Sequence, residues 1–243
     1  MRLPSADFYL DLNDTRIQWG RESRSATMSN QELEHSVAEE LSWDPKIDSS
    51  TIAVSADGGT VTLRGTVGGF RQKREAQRAA ERVFGVSFVE NDLTVQVLTE
   101  HRREDAELRR DVLSALMLNA MVPKTVDASV RDGFVTLTGT TDWQFQRDEA
   151  ETVAGNVPGV TGVENDVFLT SPVPYAEDVE ESIKKAFKRN AKVDADNVGV
   201  ETINGTAILT GTVRSWAERD SAVDAAWAAP GVTDVEDRLH VVY

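Results

Sequence analysis

The sequence predicts an α+β protein built from three tandem αββαβ units, each a small three-stranded mixed sheet with two helices packed on one face. Two observations carry this. First, a glycine that closes an apolar strand, an alanine eleven residues later and a second glycine twenty residues after the first occur three times: Gly65, Ala76, Gly85; Gly139, Ala150, Gly159; Gly211, Ala222, Gly231. The copies are 74 and 72 residues apart, so one structural unit is used three times. Second, apolar spacing switches inside every copy from a period near 3.6 to a period of two and back.

Each unit opens with residues four apart, Leu33, Val37 and Leu41, then Leu108, Val112 and Leu116, then Val179, Ile183 and Phe187. That spacing places them on one face of a helix. A β-hairpin follows, turning at Gly58-Gly59, Asp132-Gly133 and Asn204-Gly205, pairs that accept positive φ and so favour tight turns. The second helix carries Ala76, Ala79, Ala80 and Val83; Ala150, Val153, Ala154 and Val157; Ala222, Ala225, Ala226 and Ala229. Small side chains on that face allow close approach to a sheet. Phe84-Gly85, Pro158-Gly159 and Pro230-Gly231 stop this helix, and a last valine-rich strand follows.

The implied organisation is an N-terminal extension over 1–28, expected to be disordered or not normally translated, and units over 29–98, 103–171 and 175–243. The linker TEHRREDA is charged and able to extend the next helix. TSPVPYAE, with Pro172 and Pro174, favours an extended spacer. Hence the first two units are expected to be more tightly coupled than the last two.

Composition narrows function mostly by exclusion. With 40% hydrophobic and 28% charged residues the chain has globular proportions. It has no cysteine, which removes disulfides, thiolate nucleophiles and Cys-ligated zinc. Asp7, Asp11 and Asp14 interrupt the N-terminus, so it does not read as a secretory signal, and no run of about 18 apolar residues suggests a spanning helix. The expectation is a soluble, cytoplasmic protein, peripheral at most to the inner membrane. The net charge of −15 is spread as 0, −4, −6 and −5 over 1–28, 29–99, 100–172 and 173–243. No unit is a basic nucleic-acid module, and none is expected to bind nucleic acid.

The αββαβ order, the Gly-Thr pairs at Gly65-Thr66, Gly139-Thr140 and Gly211-Thr212, the nearby aromatics Phe70, Trp143 and Trp216, and the Gly-Val-x-x-Val-Glu-[Asn/Asp] runs at 85–91, 159–165 and 231–237 resemble the BON domain, the OsmY-like bacterial family. The resemblance covers about 29–243. It implies a non-catalytic module of osmotic stress and envelope physiology, with phospholipid surfaces as the commonest proposed ligand and chaperone-like or protein-docking roles beside it.

Most repeated residues read as folding. Gly65, Gly85, Gly139, Gly159, Gly211 and Gly231 are expected to be structural, at strand and helix junctions. Glu90-Asn91-Asp92, Glu164-Asn165-Asp166 and Glu236-Asp237 are expected to face water on a strand, and Phe70, Trp143 and Trp216 to cover the strand–helix junction. His35, His101 and His240 fall at unrelated repeat positions, so no catalytic constellation, metal set or cofactor site assembles.

The residues that differ between copies are the candidates for function. Lys184, Lys185, Lys188, Arg189 and Lys192 form the leading anion- or lipid-facing surface, and Arg71, Lys73, Arg74, Arg78 and Arg82 a secondary one. Trp43 and Trp227, without counterparts, are candidate contact aromatics for a partner or a neighbouring unit. The competing reading of both basic stripes is a solvated face paired with Glu75, Glu81, Glu180 and Glu181 at helical spacing. The expected function is therefore non-enzymatic binding of phospholipid surfaces or envelope-associated partners in bacterial stress. The alternative is a protein adaptor or holdase without lipid affinity.

Overall fold

In a computed structural model of the chain, residues 28–97, 103–170 and 179–242 are described. The expected extension over 1–27 and most of both linkers lie outside them. The first unit runs α1 (Asn30–Trp43), β1 (Ile52–Asp57), β2 (Thr60–Val67), α2 (Phe70–Glu81) and β3 (Phe88–Val95). The second runs α3 (Asp105–Leu118), β4 (Asp127–Arg131), β5 (Phe134–Thr141), α4 (Gln144–Gly155) and β6 (Gly162–Leu169). The third runs α5 (Val179–Arg189), β7 (Val198–Ile203), β8 (Thr206–Val213), α6 (Trp216–Trp227) and β9 (Asp234–Val241).

Each unit has its own three-stranded sheet in sequence order, a hairpin followed by a parallel strand reached through the second helix. The turn residues Gly58, Gly59, Asp132, Gly133, Asn204 and Gly205 all have φ between 50° and 90°, as the tight hairpins require. Three separate cores result. Leu33, Val37 and Leu41 of α1 meet Val61, Leu63 and the alanines of α2 in the first, with equivalent residues in the others.

Gly65, Gly139 and Gly211 lie within the second strand of each unit rather than at its end, with φ of 133°, 123° and 119°. A Cβ there would sit 2.0–2.1 Å from the carbonyl oxygen of Thr51, Thr125 or Asn197, so backbone approach demands glycine.

Two further repeated columns hold the units together. Asn30 accepts from Gly58 N, and Asp105 from Asp132 N and Gly133 N, so the start of the first helix grips the hairpin turn. Gln72, Gln146 and Glu218 accept from the backbone of Gly68, Asp142 and Arg214, which fixes the entry to the second helix.

The Asn91, Asn165 and Asp237 column faces the second helix, not water. Pairing Leu63 with Asn91 places it on the same side as the buried Val61 and Leu63. Asn91 donates to Lys73 O and Asn165 to Arg147 O, each at 2.9 Å, while Asp237 takes Arg219 Nε at 2.9 Å. Strand alternation decides this: their neighbours Glu90, Asp92, Glu164 and Asp166 take the outer face.

The units touch through their second helices, and the contacts repeat around a ring. Phe70 of the first unit packs on the core of the second, its ring against Gly155, and Arg74 donates to Thr152 Oγ1 at 3.1 Å. In the third unit Trp216 stands where Phe70 does in the first. It reaches the first unit, donating to Val86 O at 2.9 Å and lining a cleft with Glu81, Arg82 and Phe84. Asp220, equivalent to Arg74, there faces Arg78, equivalent to Thr152. Asp148 of the second unit, in the same column, feels the charge of Asp224 of the third. The matching columns arrange the units head to tail around a pseudo-threefold axis, with direct contacts from the first unit to each of the others. Phe70 and Trp216 thus serve neighbouring units instead of their own strand–helix junctions. Trp143 is offset by one and caps α4, leaving Gln144 in their column.

Candidate functional site

The first helices α1, α3 and α5 occupy equivalent positions in the three units. Their core-facing residues match one for one, and their outward residues do not. The positions held by Glu39, Ser42, Trp43 and Lys46 in the first unit carry Ser114, Met117, Leu118 and Met121 in the second, and Lys185, Lys188, Arg189 and Lys192 in the third. Hence one structural position is mixed in charge with a tryptophan, then largely apolar, then basic.

Trp43 is 86% exposed and its counterpart Leu118 87%. The two ends of equivalent helices therefore both present large apolar side chains to solvent, with Met117 and Met121 exposed beside Leu118. The sequence reading singles out Trp43 but misses these three, because a methionine or leucine near a helix end is indistinguishable from core without the burial phase. Matching the column of Trp43 across repeats is the signal that finds them. Trp227, by contrast, is half-buried against the core of its own unit.

On α5 and just past it, Lys184, Lys185, Lys188, Arg189 and Lys192 are all exposed. Lys184 and Lys185 pair with Glu180 and Glu181 one turn earlier, and the bond from Lys185 holds the Glu181 carboxyl below its ordinary range. Lys188, Arg189 and Lys192 form no ion pair with a described residue, and they lie at and beyond the helix C-terminus, where cations are favoured.

The secondary stripe does not stay together. Arg74 is drawn into the seam with the second unit, and burial pushes its guanidinium down. Arg82 pairs with Glu40 at 2.9 Å and Asp44 at 3.4 Å, tying α2 to α1. Arg78 lies 3.6 Å from Glu75 and stays exposed, as does Arg71, while Lys73 is half-buried.

Among the described residues no three His, Asp or Glu side chains are placed to hold a metal ion. No helix there is long and apolar enough to cross a membrane.

Comparison with known proteins identifies the family of the three units. The BON domain model matches residues 29–97, 104–169 and 176–243, one match per unit. The chain belongs to the BON domain family. It is 36% identical over 126 residues to the osmotically-inducible protein Y of Escherichia coli K12, an alignment covering 50% of this chain and 63% of that protein. Among solved structures, CdsD, a structural protein of the type III secretion system of Chlamydia trachomatis, aligns at 16% identity with a TM-score of 0.25, over 86% of this chain and 92% of that one. Its C-terminal domain aligns with the same score over 89% and 100%.

Proposed function

We propose that this chain is a non-catalytic BON-repeat protein of the osmotic stress response that docks reversibly on anionic phospholipid surfaces through the rim of its first helices, acting peripherally at the inner membrane from the cytoplasm. The name of the Escherichia coli relative supports the physiological setting. The observation that carries the ligand is the pairing, at equivalent positions, of exposed apolar ends on α1 and α3 with Lys188, Arg189 and Lys192 at and just beyond the end of α5. Basic residues draw an anionic interface at about 1 kcal/mol each, and large apolar side chains add to it by partial burial. The overall acidity of the chain keeps the attraction local and salt-sensitive.

Co-sedimentation with phosphatidylglycerol vesicles tests the reading. Lys188→Glu/Arg189→Glu/Lys192→Glu should lower affinity by about a hundredfold, given about 1 kcal/mol for each cation lost. Binding equal to the parent chain, or none by either, overturns it. The exposed Met117, Leu118 and Met121 favour a second reading, an adaptor or holdase for apolar protein segments, since methionine surfaces adapt to varied partners. That reading predicts suppression of client aggregation, lost in Met117→Ser/Leu118→Ser, without any response to vesicles.

A further inference from the structure

A cleft of about 570 Å³ opens at the seam where the third unit meets the first. Sites for small ligands span about 300–1,000 Å³, so its size is that of a binding site. Two aromatic side chains wall it, Trp216 at the start of α6 and Phe84 just past α2. Trp216 is fixed in place, since its Nε1 donates to Val86 O at 2.9 Å and Arg219 stacks 4.7 Å from the ring centroid. Arg219 does not line the cleft, so the indole meets it with its other face or its edge. A guanidinium on one face polarises the π-system towards itself, which suits the opposite face to an electron-rich partner.

Aromatic walls alone would suit a cation equally well, and the charged side chains decide the sign. Three arginines line the cleft, Arg78 and Arg82 from the first unit and Arg214 from the third, against two carboxylates, Glu81 and Asp220. The excess of positive charge is local, because the chain as a whole carries −15. Arg78 answers the two acids and offsets part of the upward push that burial gives both carboxyls. Arg82 and Arg214 are anchored by acids that do not line the cleft. Arg82 gives Nε to Glu40 and Nη2 to Asp44, and Arg214 gives Nη2 to Asp194. Nη1 of Arg82, with Nε and Nη1 of Arg214, makes no hydrogen bond to a described residue. Two positioned guanidinium groups with spare donors therefore meet an aromatic wall.

From this geometry we infer that the cleft binds a small aromatic carboxylate, its ring against Trp216 and Phe84 and its carboxylate accepting from Arg82 and Arg214. A planar carboxylate matches the planar guanidinium fork, and the ring supplies the apolar area that the two aromatic walls bury. The two arginines belong to different units, so the ligand ties the third unit to the first and stabilises their seam by mass action. None of these residues belongs to the basic end of α5 or to the exposed apolar ends of α1 and α3, so the site is separate from the one proposed for phospholipid.

Titration of the full chain with naphthoate, followed through the indole Nε1–H signals of its five tryptophans in a proton–nitrogen correlation spectrum, tests the site. Trp216→Phe identifies the Trp216 signal by its loss. That signal should shift saturably while the Trp43 signal stays in place. Naphthylmethylammonium, a cation of similar shape, should bind at least about tenfold more weakly, and Arg214→Gln should weaken naphthoate by about tenfold, as for one hydrogen bond to a charged group. Phe84→Ala should also weaken naphthoate. Arg214 and Phe84 are exposed, so both variants should keep the circular dichroism of the parent chain. An unmoved Trp216 signal, equal affinity for the ammonium compound, or an affinity for naphthoate unchanged by Arg214→Gln overturns the site.

Discussion

Trp216 Nε1 donates to the carbonyl oxygen of Val86 at 2.9 Å, across 130 residues of sequence and two unit boundaries. The indole is further held by Arg219, 4.7 Å above the ring centroid, which is itself fixed by Asp237. This bond ties the last unit back to the first, and so turns a string of three domains into a ring.

Removing it should separate assembly from folding. Trp216→Phe restores the residue found at the equivalent position 70 but deletes the donor, and should weaken the seam by about 1 kcal/mol. Trp216→Ala should weaken it by about 3 kcal/mol through the lost aromatic burial. Small-angle scattering should show a larger radius of gyration for the alanine variant, while far-ultraviolet circular dichroism stays at the parent level.

Within a unit the most sensitive position is the second-strand glycine. Gly139→Ala places a Cβ 2.1 Å from Thr125 O at a φ of 123°, where L-residues are strained. The second unit should lose on the order of 3 kcal/mol or more. Hydrogen exchange should show protection lost over β4, β5 and β6 and kept in the other two sheets.

The strand-to-helix tether gives a graded prediction. Asp237 also accepts from Leu239 N at 2.9 Å, as Asn91 does from Leu93 N and Asn165 from Val167 N. Asp237→Asn can adopt the sibling arrangement, donating to the backbone carbonyl of Arg219, and should cost less than about 1 kcal/mol. Asp237→Ala strands a partly buried Arg219 and should cost about 1–3 kcal/mol in urea unfolding of the third unit.

Stability should respond to acid in two opposite ways. Glu32, Asp44 and Asp48 have carboxyls held low, chiefly by hydrogen bonds from Ser29, Lys46 and Ser50. Groups of this kind stabilise the folded unit above their unfolded values, and the contribution is lost as pH falls through the folded ones. Glu81, Asp148 and Asp220 are pushed up, chiefly by burial at the seams. Their native forms bind protons more tightly than the unfolded chain, so the seams gain stability as pH falls from neutrality towards the ordinary carboxylate range. Thermal scans should therefore show a rise in melting temperature from neutral to mildly acidic pH, then a fall in stronger acid.

The fold within each unit was legible because its signals are local. Period, turn residues and helix stops fix the elements, and the three-fold repeat removes ambiguity about register. The inward turn of Asn91 and Asn165 was missed because alternation alone does not say which face of a strand the helix covers. Phe70 and Trp216 read as cover for their own junctions because sequence does not show which core an aromatic serves once domains meet. The basic residues of α5 were legible as a cluster, but their grouping with Trp43 and Leu118 depends on ring symmetry, which no single stretch of sequence encodes.

Equal spacing of equivalent positions is the most direct measurement of that symmetry. Spin labels at Ser42→Cys with Met117→Cys, and at Ser42→Cys with Lys188→Cys, report the distance from the first helix of unit one to its counterparts in units two and three. The ring predicts a single, narrow distance for each pair, the two being equal. Broad distributions of unequal mean, as for independent domains on linkers, would contradict the ring and with it the shared rim on which lipid docking depends.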